Sequence, residues 1–187
     1  MAKRVRRRFN DRYDDYINSR LFGLRVDSSN RCFELETLLS ECREVAAFWR
    51  SMAIGWASCD DISHQQQELI LALLKEKHFQ FPEHSFREQL DPSDLDWWMQ
   101  QKSDLPLTIY RGCSSERVSA MSWSLNRKIA ESFANGHRGF EVPNPVIATA
   151  DVNWDSVLFA TNCRSEQELL IDFKSLTVRK TETFQKV

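Results

Sequence analysis

The strongest constraint on this chain is a change of hydrophobic period near Leu107. Before it, apolar residues recur at helical spacing. Leu35, Leu38, Leu39, Cys42, Val45, Ala46 and Trp49 fall at i, i+3, i+4, i+7, i+10, i+11 and i+14, which paints one stripe on one helix. A second helix is predicted over Gln65 to His78, burying Leu69, Ala72 and Leu73. A third begins at Asp91-Pro92-Ser93-Asp94 and carries Leu95, Trp98 and Met99. There Asp91 can cap, Pro92 suits the first turn and Asp94 favours the positive helix end.

After Leu107 the runs are short and β-like. Leu107-Thr108-Ile109-Tyr110, Val146 to Ala150, Val157-Leu158-Phe159 and Leu169 to Phe173 read as strands, with Leu176-Thr177-Val178 closing the set. One helix interrupts them: Asn126 can cap it, Ile129, Ala130, Phe133 and Ala134 form its apolar face, and Gly136 stops it. Helices followed by strands predict an α+β fold. The parts are a basic amino-terminal arm (1–30), a helical part (31–104) and a β-rich core (105–187), together one compact domain.

Composition narrows the class. In 187 residues, 42% are hydrophobic, enough for a core without a disulfide or metal staple. No stretch approaches the roughly 20 apolar residues of a membrane span. Cys32, Cys42, Cys59, Cys113 and Cys163 are odd in number and form no Cys-x-x-Cys pair, so they read as reduced thiols of a cytoplasmic protein. The four His are dispersed, and no metal site is expected. Net charge is −2, yet Lys3, Arg4, Arg6, Arg7, Arg8 and Arg12 face only Asp11 near the start. Such a run either binds phosphates or is a solvated terminus.

Three segments of the β half carry candidate chemistry. In Ile109-Tyr110-Arg111-Gly112, an Arg at a strand end offers a donor fork to phosphate oxygens, and Gly lets a ligand approach the backbone. A salt-bridged edge Arg would also account for it. In Met121-Ser122-Trp123-Ser124, a strand would turn both hydroxyls to one side and Trp123 to packing. A helix cap of the Ser type is the bland alternative. In Ser165-Glu166-Gln167-Glu168, a strand starting near Glu166 would project both carboxylates from one face about 7 Å apart. That costs stability unless a cation or a catalytic task compensates; an exposed acidic turn is the alternative.

Arg, then Ser-x-Ser, then Glu-x-Glu, each beside a strand and in that order, resembles the Arg-Ser-Glu clade of mono-ADP-ribosyltransferases. The clade includes cholera-toxin-like and clostridial-type toxins and related phage enzymes. Met121 to Ala134 looks like its Ser motif and following amphipathic helix, and the resemblance covers residues 105 to 180. It implies a split β-sheet core and NAD as co-substrate, with no metal. Arg111 would hold a phosphate or the nicotinamide-side ribose, with Tyr110 and Gly112 beside it. Ser122 would brace the catalytic carboxylate, Ser124 the strand, and Glu168 would stabilise the charge growing at the anomeric carbon. Glu166 and Arg164 would meet the acceptor. Phe133 and Phe140 are the candidates to stack on nicotinamide, with core packing on the apolar helical face the favoured alternative for Phe133.

Glu-x-Glu in place of Gln-x-Glu resembles the subset that modifies guanidinium or similar nitrogens. The turn Thr161 to Ser165 lacks the aromatic common in protein-modifying relatives and carries Arg164 instead. With the basic start of the chain, this favours a base amine of RNA or single-stranded DNA over protein arginine as acceptor. An NAD glycohydrolase or a non-catalytic interaction module are the further readings. The resemblance also implies an intracellular toxin or defence effector with a neutralising antitoxin protein.

Overall fold

Helices occupy the first part of the chain and a sheet the last, so the fold is α+β. In this computed structural model the described residues are 2–27, 30–59, 62–81, 86, 90, 92–102, 105–136 and 141–185, with 2–11 described as backbone. The chain divides into two compact units, Met1–Asp91 and Pro92–Val187.

The first unit contains α1 (Ala2–Phe22), α2 (Arg31–Glu41), α3 (Val45–Gly55) and α4 (His64–Gln80). Its core holds Ile17 and Leu21 of α1, Leu35, Leu38 and Leu39 of α2, Phe48, Trp49 and Met52 of α3, and Ile70, Leu71 and Leu74 of α4. The amino-terminal segment, read from sequence as a basic arm, is therefore a helix whose later turns pack. Arg50 clamps Asp14 bidentately at 2.8 and 2.7 Å, and Arg20 reaches Glu41 at 3.0 Å, tying α1 to α3 and α2.

Two helical readings are corrected here. The single stripe from Leu35 to Trp49 is split between α2 and α3, because Cys42 is extended (φ −69°, ψ 106°). The buried Lys77 donates to the Cys42 carbonyl at 3.2 Å, satisfying a group released at the helix end, and its ammonium lies over the Phe48 and Phe81 rings. Ala46, placed on the stripe, is exposed. In α4 the phase is different from that predicted: Ile70, Leu71, Leu74 and Lys77 are buried, while Leu69 is 44% exposed and Ala72 faces solvent. Residues 69–74 are apolar without interruption, so their spacing selects no face. The helix begins with a capping box between Ser63 and Gln66.

The second unit contains α5 (Pro92–Gln100), β1 (Leu107–Ser114), β2 (Ser122–Ser124), α6 (Arg127–Ala134), β3 (Pro145–Val152), β4 (Val157–Thr161), β5 (Glu168–Ile171) and β6 (Val178–Thr183). The strands form one antiparallel sheet in the order β4-β5-β2-β1-β3-β6. Its two halves are unequally joined. β1 and β3 pair over eight register positions, from Leu107↔Val152 to Ser114↔Pro145, whereas β1 and β2 meet only at Tyr110↔Ser124. Two strand readings are corrected: β1 runs on to Ser114, so Arg111 lies inside a strand, and the last strand begins at Val178 where it was expected to end.

Asp91, the expected cap of α5, lies outside the described residues; Met99 of that helix is 48% exposed. Trp98 is fully buried and stacks on Trp154 at 3.8 Å and 6°, which fixes α5 against the turn entering β4. The Asn126 side chain caps α6 by accepting from Lys128 N at 3.0 Å, and Gly136 follows the helix with φ 99°. Ala130 and Ala134 press that helix on the sheet. Among the described residues, no helix is long and apolar enough to cross a membrane.

Candidate functional site

The weak seam between β1 and β2 is where the three motifs come together. Alternation along β2 turns Trp123 into the core at 2% exposure and both serines to the other side. The odd residues of this segment bond towards β5, with Ile171 N donating to Met121 O at 2.8 Å and Leu125 N to Gln167 O at 3.0 Å. The Ser122 carbonyl therefore faces β1, beyond the point where the two strands part. Arg111 supplies its partner: Nη1 donates to Ser122 O at 2.6 Å, and Nε donates to Arg117 O at 3.0 Å.

Ser122 completes the connection. Its hydroxyl donates to Glu168 Oε1 at 2.5 Å, a short charge-assisted bond. A guanidinium, a hydroxyl and a carboxylate from three distant segments thus form one chain of contacts. Burial lowers the Arg111 pKa from its ordinary value, opposed by the nearby Cys113 and Glu168; a guanidinium nonetheless stays charged in proteins. The same burial raises the Cys113 thiol, with Arg111 and Arg117 opposing it.

Ser124 holds the opposite end of the loop before Glu168. Its hydroxyl donates to Glu166 O at 2.8 Å and accepts from Asn126 N at 3.0 Å. One motif thus serves both as helix start and as loop anchor. The loop itself is strained: Arg164, Ser165 and Gln167 have φ of 60°, 59° and 50°, in the left-handed region where a side chain costs about 1–2 kcal/mol each. A corrected expectation follows. β5 starts at Glu168, so Glu166 is not on the strand and does not project beside Glu168 with strand spacing.

At its other end the loop is tied to α5. Asp94 Oδ2 accepts from Thr161 Oγ1 at 3.2 Å and from Asn162 N at 3.4 Å, and Thr161 Oγ1 accepts from Cys163 N at 3.0 Å. Sequence reading gave Asp94 only a helix-end role. The Thr161 hydroxyl two residues before Cys163 is a local turn signal that marks the loop's start.

Other expected residues are placed elsewhere. Gly112 was expected to admit a ligand, but helix α6 fills that space: a Cβ there would lie 1.6 Å from Ala130 O. Tyr110 packs in the cluster of Ala130, Ala134, Ile147 and Phe184, under the same helix. Arg164 is exposed at the loop, Phe133 is half-buried on α6, and Phe140 lies outside the described residues. Among the described residues, no three His, Cys, Asp or Glu side chains are grouped to hold a metal ion. Comparison of the chain with protein-family models, curated proteins and solved structures found no match.

Proposed function

We propose that this chain is an NAD-dependent mono-ADP-ribosyltransferase whose acceptor is a base amine of RNA or single-stranded DNA. The observation that carries the reading is the Arg111–Ser122–Glu168 network, which links the Arg, Ser and Glu motifs by bonds of 2.6 and 2.5 Å. A carboxylate bonded to a serine and near a guanidinium fits a ribose, whose hydroxyls donate and whose anomeric carbon becomes positive as nicotinamide leaves.

NAD is the substrate whose glycosidic C–N bond breaks, the electron pair leaving with nicotinamide. Glu168 opposes the charge that grows at the anomeric carbon. Ser122 fixes the carboxylate, and Arg111 fixes Ser122 through its backbone. Glu166, on the strained loop, takes the proton of the attacking acceptor nitrogen. Arg164 sits exposed two residues before it, which suits an acceptor bearing phosphates. Such an enzyme would act as a toxin or defence effector restrained by an antitoxin protein.

Incubation with labelled NAD and cell extract tests the reading. Wild type should label a macromolecule; Glu168→Gln, with unchanged circular dichroism, should not. Equal labelling by both would reject the site. Nuclease-sensitive label supports the nucleic-acid acceptor, and label lost only to protease replaces it with protein arginine.

A further inference from the structure

Asp94 lies outside the three motifs, on a helix that precedes the sheet, yet its carboxylate holds the first residues of the loop carrying Arg164 and Glu166. That loop keeps three side-chain-bearing residues left-handed, and such strain persists only where surrounding bonds over-determine it. Two backbone bonds close the loop on itself, Ser165 N to Asn162 O at 2.9 Å and Glu166 N to Cys163 O at 3.3 Å, and others tie its two ends. Ser124 and Leu125 hold Glu166 and Gln167 at the sheet end. At the other end the hold is Asp94 with Thr161, which in turn fixes Cys163 N. The stacked Trp98–Trp154 pair fixes the helix from which Asp94 projects.

We propose that Asp94 is a positioning residue for the acceptor: it holds the 162–167 loop so that a nitrogen nucleophile is used in place of water. The inference rests on the transferase reading above. Glu168, Ser122 and Arg111 are bonded to one another without Asp94, so releasing the loop leaves NAD cleavage in place. What changes is the partition of ADP-ribose between macromolecule and water.

Two readouts on the full chain test this. The first is trypsin cleavage of the Arg164–Ser165 bond in native protein, followed by mass spectrometry. The second is the ratio of transferred to free ADP-ribose made from NAD in cell extract. In Asp94→Ala, cleavage should rise and the ratio fall, each about tenfold, as expected for losing a hydrogen bond to a charged group. Asp94→Asn keeps an accepting oxygen and should stay near wild type in both. If Asp94→Ala does not fold, Thr161→Val removes one of the two Asp94 bonds together with the bond from Cys163 N, loosening the same end of the loop, and should move both readouts in the same direction. Unchanged cleavage, or a loosened loop with an unchanged ratio, overturns the proposal. A wild type inert towards NAD rejects the transferase reading and with it the acceptor role, whereas the cleavage readout still shows whether Asp94 holds the loop.

Discussion

Ser122 and Glu168 meet on a diagonal of the β2–β5 ladder. In register Ser122 lies opposite Leu170 and Glu168 opposite Ser124, yet the hydroxyl reaches the carboxylate at 2.5 Å. Diagonal neighbours start about 7–8 Å apart, so the longer side chain leans along the strand to close the gap. The carboxylate is thereby fixed by a residue other than its ladder partner. Ser124 remains available to hold the loop, and the two serines do separate work.

This division makes Ser122→Ala informative. On the transferase reading proposed above, loss of the hydroxyl should lower NAD cleavage about 100-fold, the scale of removing one oriented donor at a reacting centre. The fold should survive, since Trp123 supplies the packing of β2. A steady-state NAD-cleavage assay beside a thermal melt checks this. An unaltered rate would show that Glu168 needs no brace. Arg111→Lys should fail as well, because an ammonium lacks the planar fork that serves two carbonyls at once.

Gly112→Ala tests the fold alone. Its methyl would meet Ala130 O at 1.6 Å, with Ala134 N at 2.8 Å, so α6 must move. Overpacking of this kind costs about 1–3 kcal/mol. The urea midpoint should fall by the corresponding amount, and a variant as stable as wild type would contradict the close approach of helix and strand.

The cysteines should separate by reactivity. Cys163 is exposed on the candidate acceptor loop, whereas Cys113 is buried and its thiol is raised by that burial. A raised thiol holds less reactive thiolate at any given pH. Limiting maleimide near neutral pH should therefore modify Cys163 well before Cys113, as read by peptide mapping. Modification of Cys163 should reduce transfer more than NAD cleavage.

Acid should loosen the join between α6 and β6. Glu182 is lowered from 4.5 to about 2, first by Lys180 and then by Arg127 of α6, the latter at 2.9 Å. A depressed carboxylate contributes stability that is complete above its unfolded value and is lost as pH falls through the folded one. The contribution of this pair should thus fade between about pH 4.5 and about pH 2. The Glu182 carboxyl signal, followed by NMR, should titrate near the lower end. High salt should move it upward, since the group is at the surface.

Local chemistry decided which parts of this molecule were readable. α6 was legible because Asn126 caps it, Gly136 follows it and its apolar residues recur on one face. The alternation of Ser122, Trp123 and Ser124 was legible for the same reason: one large ring must go inside. The break between α2 and α3 was hidden, because Cys42-Arg43-Glu44 contains neither Pro nor Gly and a distant lysine satisfies the freed carbonyl. Ile17 and Leu21 are too few among charged neighbours to announce a packed α1. At the site, the order of motifs brought Arg111, Ser122 and Glu168 to attention. The displacement of Glu166 was not visible, since left-handed Ser165 and Gln167 are residues that rarely adopt that conformation.

The single β1–β2 pair has a consequence for how the molecule opens. Breathing motions part a sheet where fewest bonds resist, and here that line runs beside Arg111 and Ser122. A guanidinium is the stitch across it. Mild denaturation should therefore unfasten the Arg111–Ser122–Glu168 network while β3 and the Trp98–Trp154 stack still stand, so this constellation would be the first feature surrendered on warming.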